Sequence, residues 1–142
     1  MTKPVILLVE DNPTDVYLVT EAMHEVGLNF PLEVAADGEK AIDLIDKIDA
    51  GLASRPRFLL LDLNLPRRNG EEVLAKVRSS RLCSDLPVVI LTSSDAPYDR
   101  ELTDRLGATE YFRKPADLSE FPALGRLIQR VWDSAAALEP QV

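Results

Sequence analysis

The chain has 142 residues, of which 46% are hydrophobic and 28% charged, a composition that suits one folded domain with a substantial core rather than a disordered chain. Its 16 basic and 24 acidic residues leave a formal charge of −8, which argues against non-specific binding to nucleic acid or to anionic membrane surfaces, since both need an excess of cations. A single cysteine, Cys83, excludes an intrachain disulfide and fits a reducing compartment.

The first element is "PVILLVE" at 4–10, an apolar run ending in two adjacent carboxylates, Glu10 and Asp11. It turns acidic too early for a signal peptide, and no segment reaches transmembrane length, so the expected location is cytoplasmic. Asn12 followed by Pro13 predicts a capped helix running to about Val26 and stopped by Gly27, with Val16, Val19, Ala22, Met23 and Val26 on one face. A short strand, "LEVAA" at 32–36, precedes a second helix from near Gly38 to Gly51 that carries Ala41, Ile42, Leu44, Ile45 and Ile48. After a longer loop at 49–57 comes the strand "RFLLLDL" at 57–63, then a helix after Gly70 with Val73, Leu74 and Val77. The strand "LPVVILTS" at 86–93, a helix from Pro97 to Leu106, the strand "TEYFRK" at 109–114 and a final helix from near Asp117 to about Ala137 complete the series. The tail "EPQV" is expected to fray.

The first, third and fourth runs are continuously apolar, the pattern of strands covered on both faces. Five strand–helix units with short links predict an α/β fold, a doubly wound (βα)5 parallel sheet in a single domain over residues 1–142. Ligands in such folds bind at the carboxyl ends of the strands. Those ends carry Glu10 and Asp11, then Asp62, then Thr92, then Lys114 before Pro115. Each alone reads as a cap, a turn residue or a solvated charge. Their convergence on four strand ends is the signal. Three carboxylates repel unless a hard divalent cation lies among them, and Mg2+ takes oxygen ligands of this kind. A carboxylate beside Mg2+ can be the nucleophile of a phosphoryl transfer, with Lys114 and the Thr92 hydroxyl helping to neutralise the phosphoryl oxygens.

The motifs "VED" at 9–11, "LLLDLNLPRRNG" at 59–70, "LTSSD" at 91–95 and "GATEYFRKP" at 107–115 resemble those of bacterial two-component response regulators, and in particular their CheY-like receiver domain. The resemblance implies a flavodoxin-like five-stranded parallel sheet in the order 2-1-3-4-5. It implies a receiver that takes a phosphoryl group from a sensor histidine kinase onto Asp62 with Mg2+, catalysing its own phosphorylation and dephosphorylation. Asp11, with Glu10 assisting, would hold the metal beside Asp62, and the backbone carbonyl of Asn64 would be a further ligand. Thr92 and Lys114 would bind the phosphoryl oxygens, and Tyr111 would be the aromatic switch that turns inward as Thr92 moves. Pro66 and Gly70 would shape the loop after Asp62, and the peptide bond to Pro115 is expected to be cis.

The chain stops about where the fifth helix ends, so the expectation is a stand-alone receiver without an output domain, signalling by protein contact or phosphorelay. "LNLPRRNGEEVL" and the loop at 49–57 are most similar to regulators that serve bacterial and cyanobacterial phytochromes, which implies a bacteriophytochrome kinase as partner and a homodimer through the helix 4–strand 5–helix 5 face. The last helix bears a stripe of Phe121, Leu124, Ile128, Val131 and Ala135 flanked by Leu127 and Trp132, broad enough either for a dimer surface or for packing over the core edge. A haloacid-dehalogenase-type phosphatase would need a second Asp where Asn64 stands. An FMN-binding flavodoxin would need a Ser/Thr/Gly phosphate loop where "EDNPTD" stands. A third reading is a pseudo-receiver that binds partners without being phosphorylated, and the presence of all the key residues argues against it.

Overall fold

The structure is a computed structural model that describes residues 4–94 and 96–138, so Asp95 of the "LTSSD" motif and the "EPQV" tail lie outside the described residues. Five short strands form one parallel sheet: β1 (Ile6–Val9), β2 (Leu32–Ala35), β3 (Phe58–Leu61), β4 (Val88–Thr92) and β5 (Glu110–Arg113), in the order β2-β1-β3-β4-β5. Successive residues of a strand point to opposite faces, and β1, β3 and β4 are apolar on both. Ile6, Leu8, Phe58, Leu60, Val89 and Leu91 pack under α1 (Pro13–Glu25) and α5 (Phe121–Leu138), while Leu7, Val9, Leu59, Leu61, Val88 and Ile90 pack under α2 (Gly38–Asp49) and α3 (Gly70–Ser79). The continuous apolar runs therefore mean what their composition suggests: each residue is buried by one layer or the other.

The helices start where local chemistry dictates. The side chain of Asn12 accepts from the Thr14 N–H at 2.9 Å, that of Asp37 from the Lys40 N–H at 2.7 Å, and that of Asn69 from the Glu72 N–H at 3.0 Å. Each satisfies a donor that the helix leaves open. The fourth helix, α4 (Pro97–Arg105), differs: Ala96 supplies no capping side chain, and Thr103 is its one buried residue. The last helix begins later than the sequence suggests. Asp117 caps a 3-10 turn, Leu118–Glu120, and α5 proper starts at Phe121.

Two further expectations meet the packing. The peptide bond to Pro115 is trans, since no cis bond occurs among the described residues. Trans is the favoured isomer even before proline, and in it the Lys114 N–H donates to the Thr92 carbonyl at 2.8 Å, extending the ladder by one residue. Trp132 is half-buried and stacks on Phe30 with ring centroids 4.1 Å apart, under the Arg57 guanidinium at 4.2 Å. Leu124, Leu127, Ile128 and Val131 are buried in the core shared with α1. The apolar breadth of α5 is thus taken up inside the fold.

Candidate functional site

Strand register brings the expected residues to one edge. Val9 is level with Ala35 and Leu61, Leu61 with Ile90, and Thr92 with Arg113. The ladder continues one residue further, as the Glu10 N–H donates to Ala35 and the Asp62 N–H to Val9. The pleat then separates the acidic pair. Glu10 turns inward and is 2% exposed, whereas Asp11, the next residue, is exposed. Asp62 is 5% exposed and Thr92 fully buried.

The loop after Asp62 is held by close backbone approaches. A Cβ on Gly70 would lie 2.4 Å from the Asp62 carbonyl oxygen, and the Gly70 N–H donates to Leu63. A Cβ on Gly38 would lie 1.7 Å from the Arg68 carbonyl oxygen, so α2 can dock on this loop only with glycine there. Arg67 and Arg68 both have positive φ, at 50° and 80°, a conformation uncommon outside glycine. Pro66 contributes its carbonyl to the Gly38 N–H at 3.2 Å. The Asn64 N–H donates to Asp62 Oδ1 at 3.3 Å.

Lys114 reaches into this acidic edge with its side chain 9% exposed. Its ammonium lies 2.8 Å from Glu10 Oε1, 2.7 Å from Asp15 Oδ2 and 3.2 Å from Asp62 Oδ2. Carboxylate oxygens of Glu10, Asp11 and Asp62 lie within 4.8 Å of one another. Three carboxylates, Glu10, Asp15 and Asp62, therefore face one ammonium, with the exposed Asp11 at the rim, so negative charge is in surplus at this edge. Burial pushes the Glu10 carboxyl up to about 7, against the hydrogen bond from Lys114 and with the help of the Asp62 charge. Burial disfavours the Lys114 ammonium, but hydrogen bonds to Asp15 and Glu10 and the charge of Asp62 outweigh it and raise its pKa above the ordinary lysine value. A donor set of three hard oxygens with excess charge fits a divalent cation, whose charge would offset the burial penalty and the lesser Asp62 repulsion that raise Glu10.

Thr92 and Tyr111 join the site through backbone. The Thr92 carbonyl accepts from the Lys114 N–H, and the Thr92 hydroxyl oxygen accepts a long bond, 3.4 Å, from the Ser94 N–H. Half-buried Tyr111 donates its hydroxyl to the Ser94 carbonyl at 2.7 Å, and the Arg100 guanidinium lies over its ring at 4.5 Å. Ser94 in turn donates to Asp99 Oδ2 at 2.5 Å, at the start of α4. One short stretch after β4 thus touches the Lys114 strand end, the tyrosine and the fourth helix.

Glu10, Asp11, Asp62 and Lys114 come together as the sequence suggests, with Thr92 beside them. Asp15 was missed. It lies in the first turn of α1, and its sequence signal is its place three residues after the capping Asn12 in "DNPTD", where the start of the helix sits over the same sheet edge. Arg100 was missed as well, because its ring partner is eleven residues away across the α4–β5 turn.

Comparison with known proteins agrees with this geometry. The response regulator receiver domain profile matches residues 6–124. The chain is 33% identical over 129 residues to response regulator Rcp1 of Synechocystis sp., covering 90% of this chain and 88% of that protein. The crystal structure of Mn(2+)-bound Rcp1 superposes with a TM-score of 0.77 at 32% identity, covering 88% of this chain and 91% of that one. The phosphorylated cyanobacterial phytochrome response regulator RcpA gives a TM-score of 0.81 at 34% identity, covering 94% and 96%. The transcriptional regulatory protein TrcR of Mycobacterium tuberculosis is 38% identical over 118 residues, and there the chain spans 42% of the relative's length.

Proposed function

The chain belongs to the response regulator receiver domain family, and from that premise we propose that it accepts a phosphoryl group from a sensor histidine kinase onto Asp62. One observation carries this reading: the Lys114 ammonium reaches both Asp62 and Glu10 inside a cluster whose carboxylate oxygens lie within 4.8 Å. An Asp62 oxygen bonds to phosphorus while the donor's bond to phosphorus breaks and the donor leaves with the electron pair.

Glu10, Asp11 and Asp62, with the backbone carbonyl of Asn64, would hold Mg2+, and the Mn(2+)-bound form of Rcp1 supports a divalent ion in this setting. The ion would supply charge neutralisation for the incoming phosphoryl oxygens. Lys114 would move its hydrogen bonds to those oxygens, and the Thr92 hydroxyl would donate to another. Because Thr92, Ser94, Tyr111 and α4 are linked end to end, a shift at Thr92 changes the hold on Tyr111 and so the shape of the α4–β5–α5 face. A partner that prefers the shifted face then binds the phosphorylated form more tightly.

The similarity to the phytochrome response regulator RcpA supports a phytochrome-type kinase as the donor. The reading further includes signalling by protein contact or phosphorelay in the cytoplasm and a homodimer through the α4–β5–α5 face. No helix among the described residues is long and apolar enough to cross a membrane. Beryllofluoride with Mg2+ tests the switch. Amide resonances around Asp62, Thr92 and Tyr111 should shift, and light scattering should report a mass increase. Silent resonances would reduce the protein to a partner-binding pseudo-receiver; shifted resonances with a constant monomer mass would remove the dimer alone.

A further inference from the structure

We infer that Asp15 is a positioning residue for this chemistry: it draws the Lys114 ammonium toward α1 and so keeps it from closing fully on Asp62. The inference rests on the phosphoacceptor reading above. An ammonium has three hydrogens to donate, and Lys114 has three carboxylate partners. The shortest contact is to Asp15, at 2.7 Å, and the longest is to Asp62, at 3.2 Å. Asp15 is also the one partner outside the group of carboxylates that could hold a cation, which is Glu10, Asp11 and Asp62. Its charge is therefore directed at the lysine.

A carboxylate in the first turn of a helix is favourable by itself, through the helix dipole, and that is the plainer role for Asp15. It does not account for a contact that joins α1 to the end of β5 across 99 residues of sequence. Nor does it account for a lysine side chain held 9% exposed against an aspartate that is 24% exposed.

The consequence has opposite signs before and after phosphorylation. In the resting protein, an ammonium released from Asp15 would move onto Glu10 and Asp62 and compete with a divalent cation for their oxygens. After phosphorylation, the same ammonium would be free to bind the phosphoryl oxygens more fully and protect them. Loss of the Asp15 charge should therefore weaken the metal and prolong the aspartyl phosphate. A merely structural role would loosen both.

Asp15→Asn keeps the shape and removes the charge, and Asp15→Glu keeps the charge on a longer arm. For Asp15→Asn, Mg2+ affinity by titration calorimetry should fall about three- to fivefold, the worth of a partly exposed ion pair. The lifetime of the phosphorylated form, followed by intact mass after acetyl phosphate is removed, should lengthen by a similar factor. Asp15→Glu should restore both toward wild type. If Asp15→Asn is poorly folded, Asp15→Ser provides the same charge loss. Unchanged values, or a drop in both affinity and lifetime, would overturn the inference. A wild type that binds Mg2+ but gains no phosphate would instead remove the phosphoacceptor reading, and the Mg2+ titration would still report on Asp15.

Discussion

Two partly buried cations sit at opposite ends of the sheet, and they are satisfied in different ways. At the carboxyl edge, Lys114 is surrounded by carboxylates from Glu10, Asp15 and Asp62. At the amino edge, Arg78 in the last turn of α3 donates to backbone carbonyls: Gly107 through Nε at 3.0 Å and Nη2 at 2.6 Å, and Leu86 and Ser84 through Nη1 at 2.6 and 3.2 Å. Carbonyl partners cannot change charge, so Arg78 is a fixed tie between α3, the entry to β4 and the turn before β5. The partners of Lys114 are carboxylates whose charge can change: any of them can gain a proton, Glu10 and Asp62 lie in the group that could hold a cation, and Asp62 is the proposed phosphoacceptor. The same physics, a cation held in a low-dielectric notch, makes a permanent fastener at one end and an adjustable contact at the other.

The contrast can be broken first on stability. Arg78→Ala removes several charge-assisted bonds and leaves carbonyls short of donors, so it should cost about 3 kcal/mol in chemical denaturation. Phosphoryl gain by the folded fraction should be unchanged. Lys114→Ala should cost about 1–3 kcal/mol near neutral pH, because the carboxylates lose their hydrogen-bond donor and face one another, and added Mg2+ should restore most of that loss. Mg2+ rescue of Arg78→Ala to the same extent would collapse the distinction between the two ends.

The pH dependence sharpens the comparison. The folded-state pKa of Glu10 is raised to about 7, so without a cation its contribution to stability is fully present below the ordinary glutamate range. That contribution is lost as pH rises through about 7. Divalent binding needs the ionised carboxylate, so affinity should rise over the same interval, and Mg2+ should raise the melting temperature more at about pH 8 than at about pH 6. Equal Mg2+ effects at both pH values would mean that Glu10 is not a metal partner. The smallest effect is expected at Arg100. Arg100→Ala removes the cation over the Tyr111 ring, worth about 0.5–1 kcal/mol, and should broaden the Tyr111 resonances while leaving the core melt nearly unchanged.

These residues also mark what could be read from sequence. β1, β3 and β4 were legible because both faces of each strand are buried, and that demand writes an unbroken apolar run. Glu10, Asp11, Asp62, Thr92 and Lys114 were legible because strand ends in a parallel sheet fall on one edge. Asp15 and Arg78 were not, since their roles depend on partners that only the fold brings near: Lys114 lies 99 residues from Asp15, and Gly107 lies 29 from Arg78. The helix period of α5 disclosed its apolar stripe but not what covers it. Phe30 and Arg57, which sandwich Trp132, come from loops whose sequence carries no period. The isomer at Pro115 was carried over from the resemblance, and the trans bond shows that a shared motif need not fix every dihedral angle.

The central claim is that Asp62 receives the phosphoryl group, and intact mass after incubation with Mg2+ and acetyl phosphate tests it most directly. Wild type should gain the mass of one phosphoryl group, Asp62→Asn should gain none, and a chelator should abolish the gain. An equal gain in wild type and Asp62→Asn would place the phosphate elsewhere and contradict the account. So would the absence of any gain from a wild type that also ignores beryllofluoride.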